Sequence, residues 1–320
     1  MNLRMLGALV MALAATIFSA GSAMAAVPTP NVTGPVPATA DSYPFLATDI
    51  DLSKYGYVEE EYFITGEAYG YDTSVPYTSD APRITTGPAP HLDGKYPFKT
   101  RMVVRRPANP ADANGKAIAE WNNVTAFQDI EFNWLGDPHY MLKHGYTFVG
   151  VTAQIEGVNS LKTFDNTRYG DLTVNGNGAV PNGSLTDKDA LSYDIFASAL
   201  KAVQGDGTGV DPLGGINPDM VIASGESQSC SRLSNHHNKI EPTQDIVDAY
   251  LLTVCTSQLR TDRPEKAIRI ITETENRTQR TVATYPDTSS LRHWEVAGAS
   301  HLPRLAFDNL NALLTRDGPF

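Results

Sequence analysis

The chain has 320 residues, 41% of them hydrophobic and 19% charged, which suits one globular domain with a sizeable core and excludes a disordered or fibrous chain. A formal net charge of −11 repels phosphate backbones and anionic membrane surfaces, so nucleic acid is not an expected partner. A small neutral or cationic substrate is favoured by this charge only weakly.

Residues 1–25 read as a secretory signal: Arg4 in a short basic region, an apolar run over 5–18, then Ala23-Met24-Ala25 as a small-x-small cleavage site. The run is shorter than the roughly 20 residues a bilayer requires, and no later stretch is apolar enough for a membrane span. The mature protein is expected to start near Ala26 and to reach the periplasm or the medium. The two cysteines, Cys230 and Cys255, would then lie where disulfides are permitted. They are read as buried free thiols, with a bridge as the alternative.

Residues 26–44, rich in Pro, Thr and Ala without hydrophobic periodicity, predict an extended leader, and the remaining 45–320 a single catalytic domain. Alternating and β-branched stretches at 57–64, 98–105 and 117–121 predict three strands. The pattern then changes to helix and buried strand in turn: a helix over 139–144, a strand over 147–152, a helix over 188–203 and a strand over 220–224. Such alternation indicates parallel βαβ units. After the fourth strand a Gly-, Asn- and Thr-rich stretch at 157–187 looks like a long excursion over the sheet edge. Further strands are expected at 247–254, 267–272 and 292–296.

Gly225-Glu226-Ser227-Gln228-Ser229 directly follows an apolar strand and precedes a plausible helix over 230–237, the context that gives a nucleophile-elbow motif its meaning. Residues flanking the nucleophile must be small where strand and helix nearly touch, and Ser229 meets this need in place of the motif's second glycine. A serine hydroxyl needs a base to remove its proton during attack. His301, in a loop after the last strand, stands where the order Ser, acid, His expects that base. His293 lies within the preceding strand and reads as packed or surface, and His91, His139 and His144 come before the elbow. His236 and His237 lack the i,i+4 spacing of a metal pair and read as a solvated helix end.

The acid is expected just after the strand that ends near Thr272, where Glu273 and Glu275 both occur; Glu275 is preferred, with Glu273 as the alternative, and Asp262 and Asp287 lie outside this place. Two amides should receive the developing oxyanion: that of Gln228 at the helix start and one near Asn123, in the loop after the third strand. The bland reading of Asn122 and Asn123 is a simple turn. Gly205-Asp206-Gly207-Thr208-Gly209 matches neither a phosphate loop nor a Ca²⁺ loop, and nothing calls for a cofactor or metal.

Read together, residues 120–125, 225–229 with Arg232 and Leu233, 248–252, 272–275 and 294–301 resemble the α/β-hydrolase domain-containing family of bacterial exported and cytoplasmic proteins, over most of the mature chain. The resemblance implies an α/β-hydrolase sheet, mostly parallel with helices on both faces, and a serine hydrolase triad on Ser227, His301 and an acid within 273–275. It implies no substrate. The family's elbow also carries Gln and Ser after the nucleophile. Its members usually continue well beyond the histidine loop, whereas this sequence stops at Phe320; residues 309–316 would be a short substitute for the closing helix, or one sheet face is poorly covered in a fragment. The leading functional expectation is hydrolysis of a small-molecule carboxylic ester through an acyl-enzyme. Acyl transfer on the same residues, or a non-catalytic binding protein on the same fold, are the alternatives.

Overall fold

A computed structural model describes residues 26–73, 78–80, 83–85, 91–176, 189–278 and 287–318. The secretory signal expected at 1–25 lies outside the described residues.

In chain order the strands are β1 (Asn31–Thr33), β2 (Tyr57–Tyr71), β3 (Thr78–Asp80), β4 (Arg83–Thr85), β5 (His91–Pro107), β6 (Lys116–Trp121), β7 (Thr147–Val151), β8 (Thr208–Gly209), β9 (Met220–Glu226), β10 (Ala249–Thr253), β11 (Lys266–Thr272) and β12 (Leu291–Val296). The helices are α1 (Phe132–Gly136), α2 (Pro138–Lys143), α3 (Ile155–Phe164), α4 (Asn166–Tyr169), α5 (Ser192–Val203), α6 (Gln228–Asn235), α7 (Glu241–Gln244), α8 (Glu273–Thr278) and α9 (Arg304–Asp317). A π-helical turn, His236–Ile240, continues α6.

Among the described residues ten strands form one sheet in the order β12-β11-β10-β9-β6-β7-β5-β2-β1-β8, and β3 pairs with β4 apart from it. The block from β12 to β7 is parallel. Strands β5, β2 and β1 join it antiparallel. Parallel strands need helical crossovers and are buried on both faces, which is why β7 reads as the unbroken apolar run Thr-Phe-Val-Gly-Val and is buried throughout. Strands β2 and β5 outrun their predicted lengths because they pair almost to their ends, Tyr57 opposite Pro107 and Tyr71 opposite His91.

Helix α5 carries Ile195, Phe196, Ala199, Leu200 and Val203 at the i, i+4 and i+3 spacings that line one helix face. Phe196 and Tyr193 close over the buried indole of Trp121 at ring distances of 4.9 and 5.5 Å. Fully burying side chains of this size contributes about 1.5–3 kcal/mol each. Two arginines of β5 are buried as well. Arg101 pairs with Glu61 at 3.3 Å and Asp129 at 2.8 Å, and Arg105 with Glu59 at 2.7 Å and Glu131 at 2.5 Å. Both guanidinium groups are buried, so these partners are what makes their burial tolerable.

Residues 26–44, expected as an extended leader, dock against the domain: Val32 is buried as β1 adds to the sheet beside β2. The excursion after β7 contains α3 and α4 and returns over β5, where Thr173 exchanges hydrogen bonds with Lys99. Its part over 177–187 lies outside the described residues. Helix α9 follows the histidine loop and packs on α1 through Ala306, Leu310 and Leu313. Trp294 and Val296 of β12 stay 53% and 44% exposed, so none of the described residues covers this end of the sheet on that face.

Two expectations are corrected. Cys230 and Cys255 form a disulfide, with a Cα–Cα distance of 5.9 Å, rather than two free thiols; α6 and the segment after β10 run side by side at the elbow, a closeness the sequence separation hides. His236 and His237 are not solvated but buried, at 0% and 2% exposure. The π-helical turn directs the first onto Tyr250 and Gln244 at 2.8 and 3.0 Å. Burial pushes both imidazoles down to about 4, so they are neutral.

Candidate active site

Strand β9 ends at Glu226 and α6 begins at Gln228, leaving Ser227 alone at the turn. Its backbone has φ 58° and ψ −111°, a conformation residues with a side chain seldom adopt and one that costs on the order of 1–3 kcal/mol. The neighbours hold it there. Ser227 N–H donates to Thr253 O at 2.9 Å. The Ser229 hydroxyl accepts from Glu226 N–H and donates to Glu226 O, each at 3.0 Å, so the motif's fifth residue fastens the turn besides being small. At Gly225 a Cβ would stand 3.0 Å from the carbonyl carbon of Ser229 and 3.1 Å from Cys230 N, in the space α6 occupies. The disulfide ties the same helix to the segment after β10.

The loop after β12 carries His301 back to this turn. Its Nε2 lies 2.9 Å from Ser227 Oγ and its Nδ1 2.5 Å from Glu275 Oε1. Glu275 sits in the first turn of α8, and its other oxygen accepts from Thr272 N–H at 2.9 Å and Thr272 Oγ at 2.5 Å. Burial alone would raise the Glu275 pKa, but these donors and His301 outweigh it and hold the carboxyl below its ordinary range. Glu273 is exposed and faces Arg277 at 3.9 Å. Asp262 pairs with Arg260, and the amide of His293 donates to Asp287. Of the acids weighed from sequence, Glu275 is thus the one brought to His301. A hydroxyl, an imidazole and a carboxylate in this order can pass a proton from oxygen to nitrogen while the carboxylate stabilises the cation that results.

The loop after β6 lies against the elbow, since Asn123 Nδ2 donates to Glu226 O at 2.7 Å. The backbone N–H expected to face an oxyanion at Asn123 is used otherwise. It donates to Ile130 O at 2.8 Å in an isolated bridge that closes the loop on itself. Thr125 N–H is taken by Asn123 Oδ1 at 2.8 Å. Between them Val124 N–H bonds to none of the described residues, and Gln228 N–H, at the first position of α6, has no intrahelical acceptor.

Several residues of this site were given no role by the sequence. Asp129 gathers Arg101, Asn122 Nδ2 and Thr152 Oγ1 on one oxygen, at 2.8, 2.9 and 2.5 Å, and so fixes the loop beside the elbow. Glu120, fully buried, accepts from the amides of Asn133 and Trp134, and burial raises its pKa well above the ordinary range. Gln154 Oε1 accepts from both Trp121 Nε1 and Gln228 Nε2 at 3.0 Å. Their approach to Ser227 depends on how the loops after β6 and β7 turn back to the elbow, so no local spacing could single them out.

A cavity of about 650 Å³ reaches from His301 and Glu226 down over Ile118, Leu251 and Ile270. A larger one of about 810 Å³, between residues 35–47 and β2, contains no residue of the Ser227 cluster. One acidic group among the described residues has metal-like spacing, Glu241, Asp245 and Glu265, with carboxylate oxygens within 4.8 Å of one another. It lies at the opposite ends of β10 and β11 from Ser227, and Arg263 pairs with Glu265.

A mostly parallel sheet with a strained serine between strand and helix, facing a histidine from the last loop, defines the α/β-hydrolase class. The chain belongs to the alpha/beta hydrolase domain family, whose model matches residues 32–319. No curated protein sequence matches it. Among solved structures it is similar to an alpha-beta serine hydrolase homologue from Coxiella burnetii, at 10% identity and a TM-score of 0.39 over 69% of this chain and 92% of that one. It is also similar to a dienelactone hydrolase from Anabaena variabilis, at 10% identity and a TM-score of 0.36 over 79% and 97%. The esterase Est22 matches at 11% identity and a TM-score of 0.38 over 82% and 81%.

Proposed function

We propose that this protein is an exported serine hydrolase that cleaves small-molecule carboxylic esters through an acyl-enzyme, with Ser227 as nucleophile, His301 as base and Glu275 as the acid that orients it. The observation that carries the reading is the 2.9 Å contact of His301 Nε2 with a serine hydroxyl held in strained elbow geometry. Ser227 Oγ attacks the ester carbonyl as its proton passes to Nε2, and Nδ1–H donates to the ionised Glu275 throughout. The amides of Gln228 and Val124 are the donors left free for the oxyanion. The protonated His301 then gives its proton to the departing alcohol. Water, deprotonated by the same nitrogen, releases the acid.

Of the five protein groups this scheme needs, the two oxyanion donors are backbone amides and Glu275 is held by the Thr272 amide, so little reorganisation accompanies the reaction. A panel of aryl and alkyl esters of graded acyl length, assayed on the mature protein and on Ser227→Ala, tests the reading. Turnover that depends on Ser227 supports it, and equal turnover in both proteins refutes it.

A further inference from the structure

We propose that Glu226 makes the cavity beside Ser227 a site for esters that carry an ammonium group. The proposal rests on the reading of Ser227 as nucleophile and goes beyond it by naming the charge of the substrate.

The main chain of Glu226 is wholly engaged in the elbow: its N–H donates to Ser229 Oγ, and its carbonyl accepts from Asn123 Nδ2 and Ser229 Oγ. Its side chain is not. The residue is 7% exposed and lines the 650 Å³ cavity, yet its carboxyl takes part in no hydrogen bond or ion pair with the described residues. Every other buried carboxylate among them has partners. Glu61, Asp129, Glu131 and Glu265 pair with arginines, Glu120 and Glu241 accept backbone amides, and Asp189, Asp194 and Glu275 accept from side chains and amides. A buried carboxylate without a partner is costly, and here the cost falls on the neighbour of the reacting serine.

The surroundings select the sign of the missing partner. Among the described residues no lysine or arginine lines the cavity; Asp137 stands on its wall, and His301 is the one imidazole there. Glu275 adds negative charge next to Glu226, and burial together with that charge lifts the Glu226 carboxyl to about 7. Glu120 lies close enough to feel the charge of Glu226 itself. An anionic ester group would meet these carboxylates with no counter-charge, whereas a cation would supply what Glu226 lacks. The floor of Ile118, Leu251 and Ile270 suits the methylenes or methyls around such a nitrogen. Binding energy gained at Glu226 would be gained one residue from the bond being cleaved.

The test compares substrates that differ only in charge, at a pH of about 8.5, where a carboxyl of this kind is ionised. One pair is the p-nitrophenyl ester of an acyl chain ending in trimethylammonium and its carbon isostere ending in tert-butyl. The other pair is a short-chain ester of choline and its carbon isostere. In at least one pair the cationic member is expected to be favoured in kcat/KM by roughly tenfold or more, as hydrogen-bonded or paired charges in enclosed sites typically are, and the ratio should fall to about one in Glu226→Gln. A ratio near one in the wild-type protein, or a ratio that survives Glu226→Gln, overturns the proposal.

Choline binding to Ser227→Ala, followed by calorimetry, decides the matter without turnover. Binding that disappears in Ser227→Ala with Glu226→Gln supports the proposal; no binding, or binding indifferent to Glu226, contradicts it. If no ester of either pair is cleaved by wild-type protein, the reading of Ser227 fails, while the calorimetric result still stands for or against Glu226.

Discussion

At Glu275 a single carboxylate does two things at once: one oxygen meets His301 and the other is held by Thr272. Glu273, two residues earlier, points into solvent. Glu275→Gln is therefore expected to lower kcat by about 10²-fold or more, because the imidazole loses the group that fixes its tautomer and stabilises its cation. Glu273→Gln should change it by less than about threefold, as surface substitutions usually do. Steady-state kinetics on the two variants checks this, and a reversed order would move the triad acid to Glu273. At this scale the sequence was informative where chemistry repeats in order along the chain. Ser227 after an apolar strand, His301 after the last strand and an acid between them are all readable from spacing. Asn123 was legible only as a loop position, since a backbone bridge to Ile130 that consumes its N–H depends on where the loop turns back.

The elements that position the site are the elbow helix α6 and the loop after β6. The disulfide joins the first to the segment after β10 across 25 residues. Closing a loop of that size stabilises a fold by about 3 kcal/mol, so Cys230→Ala with Cys255→Ala should lower unfolding stability by about that amount in urea titrations. An unchanged midpoint would mean the bridge contributes nothing. The loop is tied by Asn123, whose side chain bonds Glu226 O and Thr125 N–H. Asn123→Ala is expected to reduce kcat about tenfold or more with little change in KM, since a shifted loop would misplace Val124 N–H, the oxyanion donor proposed above, for the transition state rather than the ground state. A change in KM alone would place the loop's role in binding. Strand and helix alternation from β6 to β12 was legible because buried parallel strands read as apolar runs. Helices α1 and α8 were not, being five and six residues long and formed where backbone amides meet Glu120 and where the chain turns after β11. The pairing of Cys230 with Cys255 was equally hidden, because the approach of α6 to β10 is a tertiary fact.

Across the molecule, buried ionisable groups should leave a signature in its response to acid. His237 is neutral and enclosed, with its pKa pushed down to about 4. Between the unfolded value of about 6.5 and that value the unfolded chain binds a proton the folded one refuses, so stability is full above the upper limit and declines as pH falls, by up to about 3 kcal/mol. Asp194 opposes this, since burial raises its carboxyl to about 6 and its proton favours the folded state at low pH. Comparing urea unfolding of wild-type protein with His237→Gln isolates the histidine: the wild-type advantage should shrink as pH falls from about 7.5 to about 4.5, and a constant gap would contradict the burial of a neutral ring. The proposed chemistry requires Ser227 to be the residue that attacks. Intact-protein mass spectrometry after treatment with a fluorophosphonate measures that most directly. The account predicts one added phosphonyl group, located on the peptide that contains Ser227, with loss of ester turnover in step with labelling and no label on Ser227→Ala. Wild-type protein that stays unlabelled, or a Ser227→Ala variant labelled as fast as wild type, would contradict it.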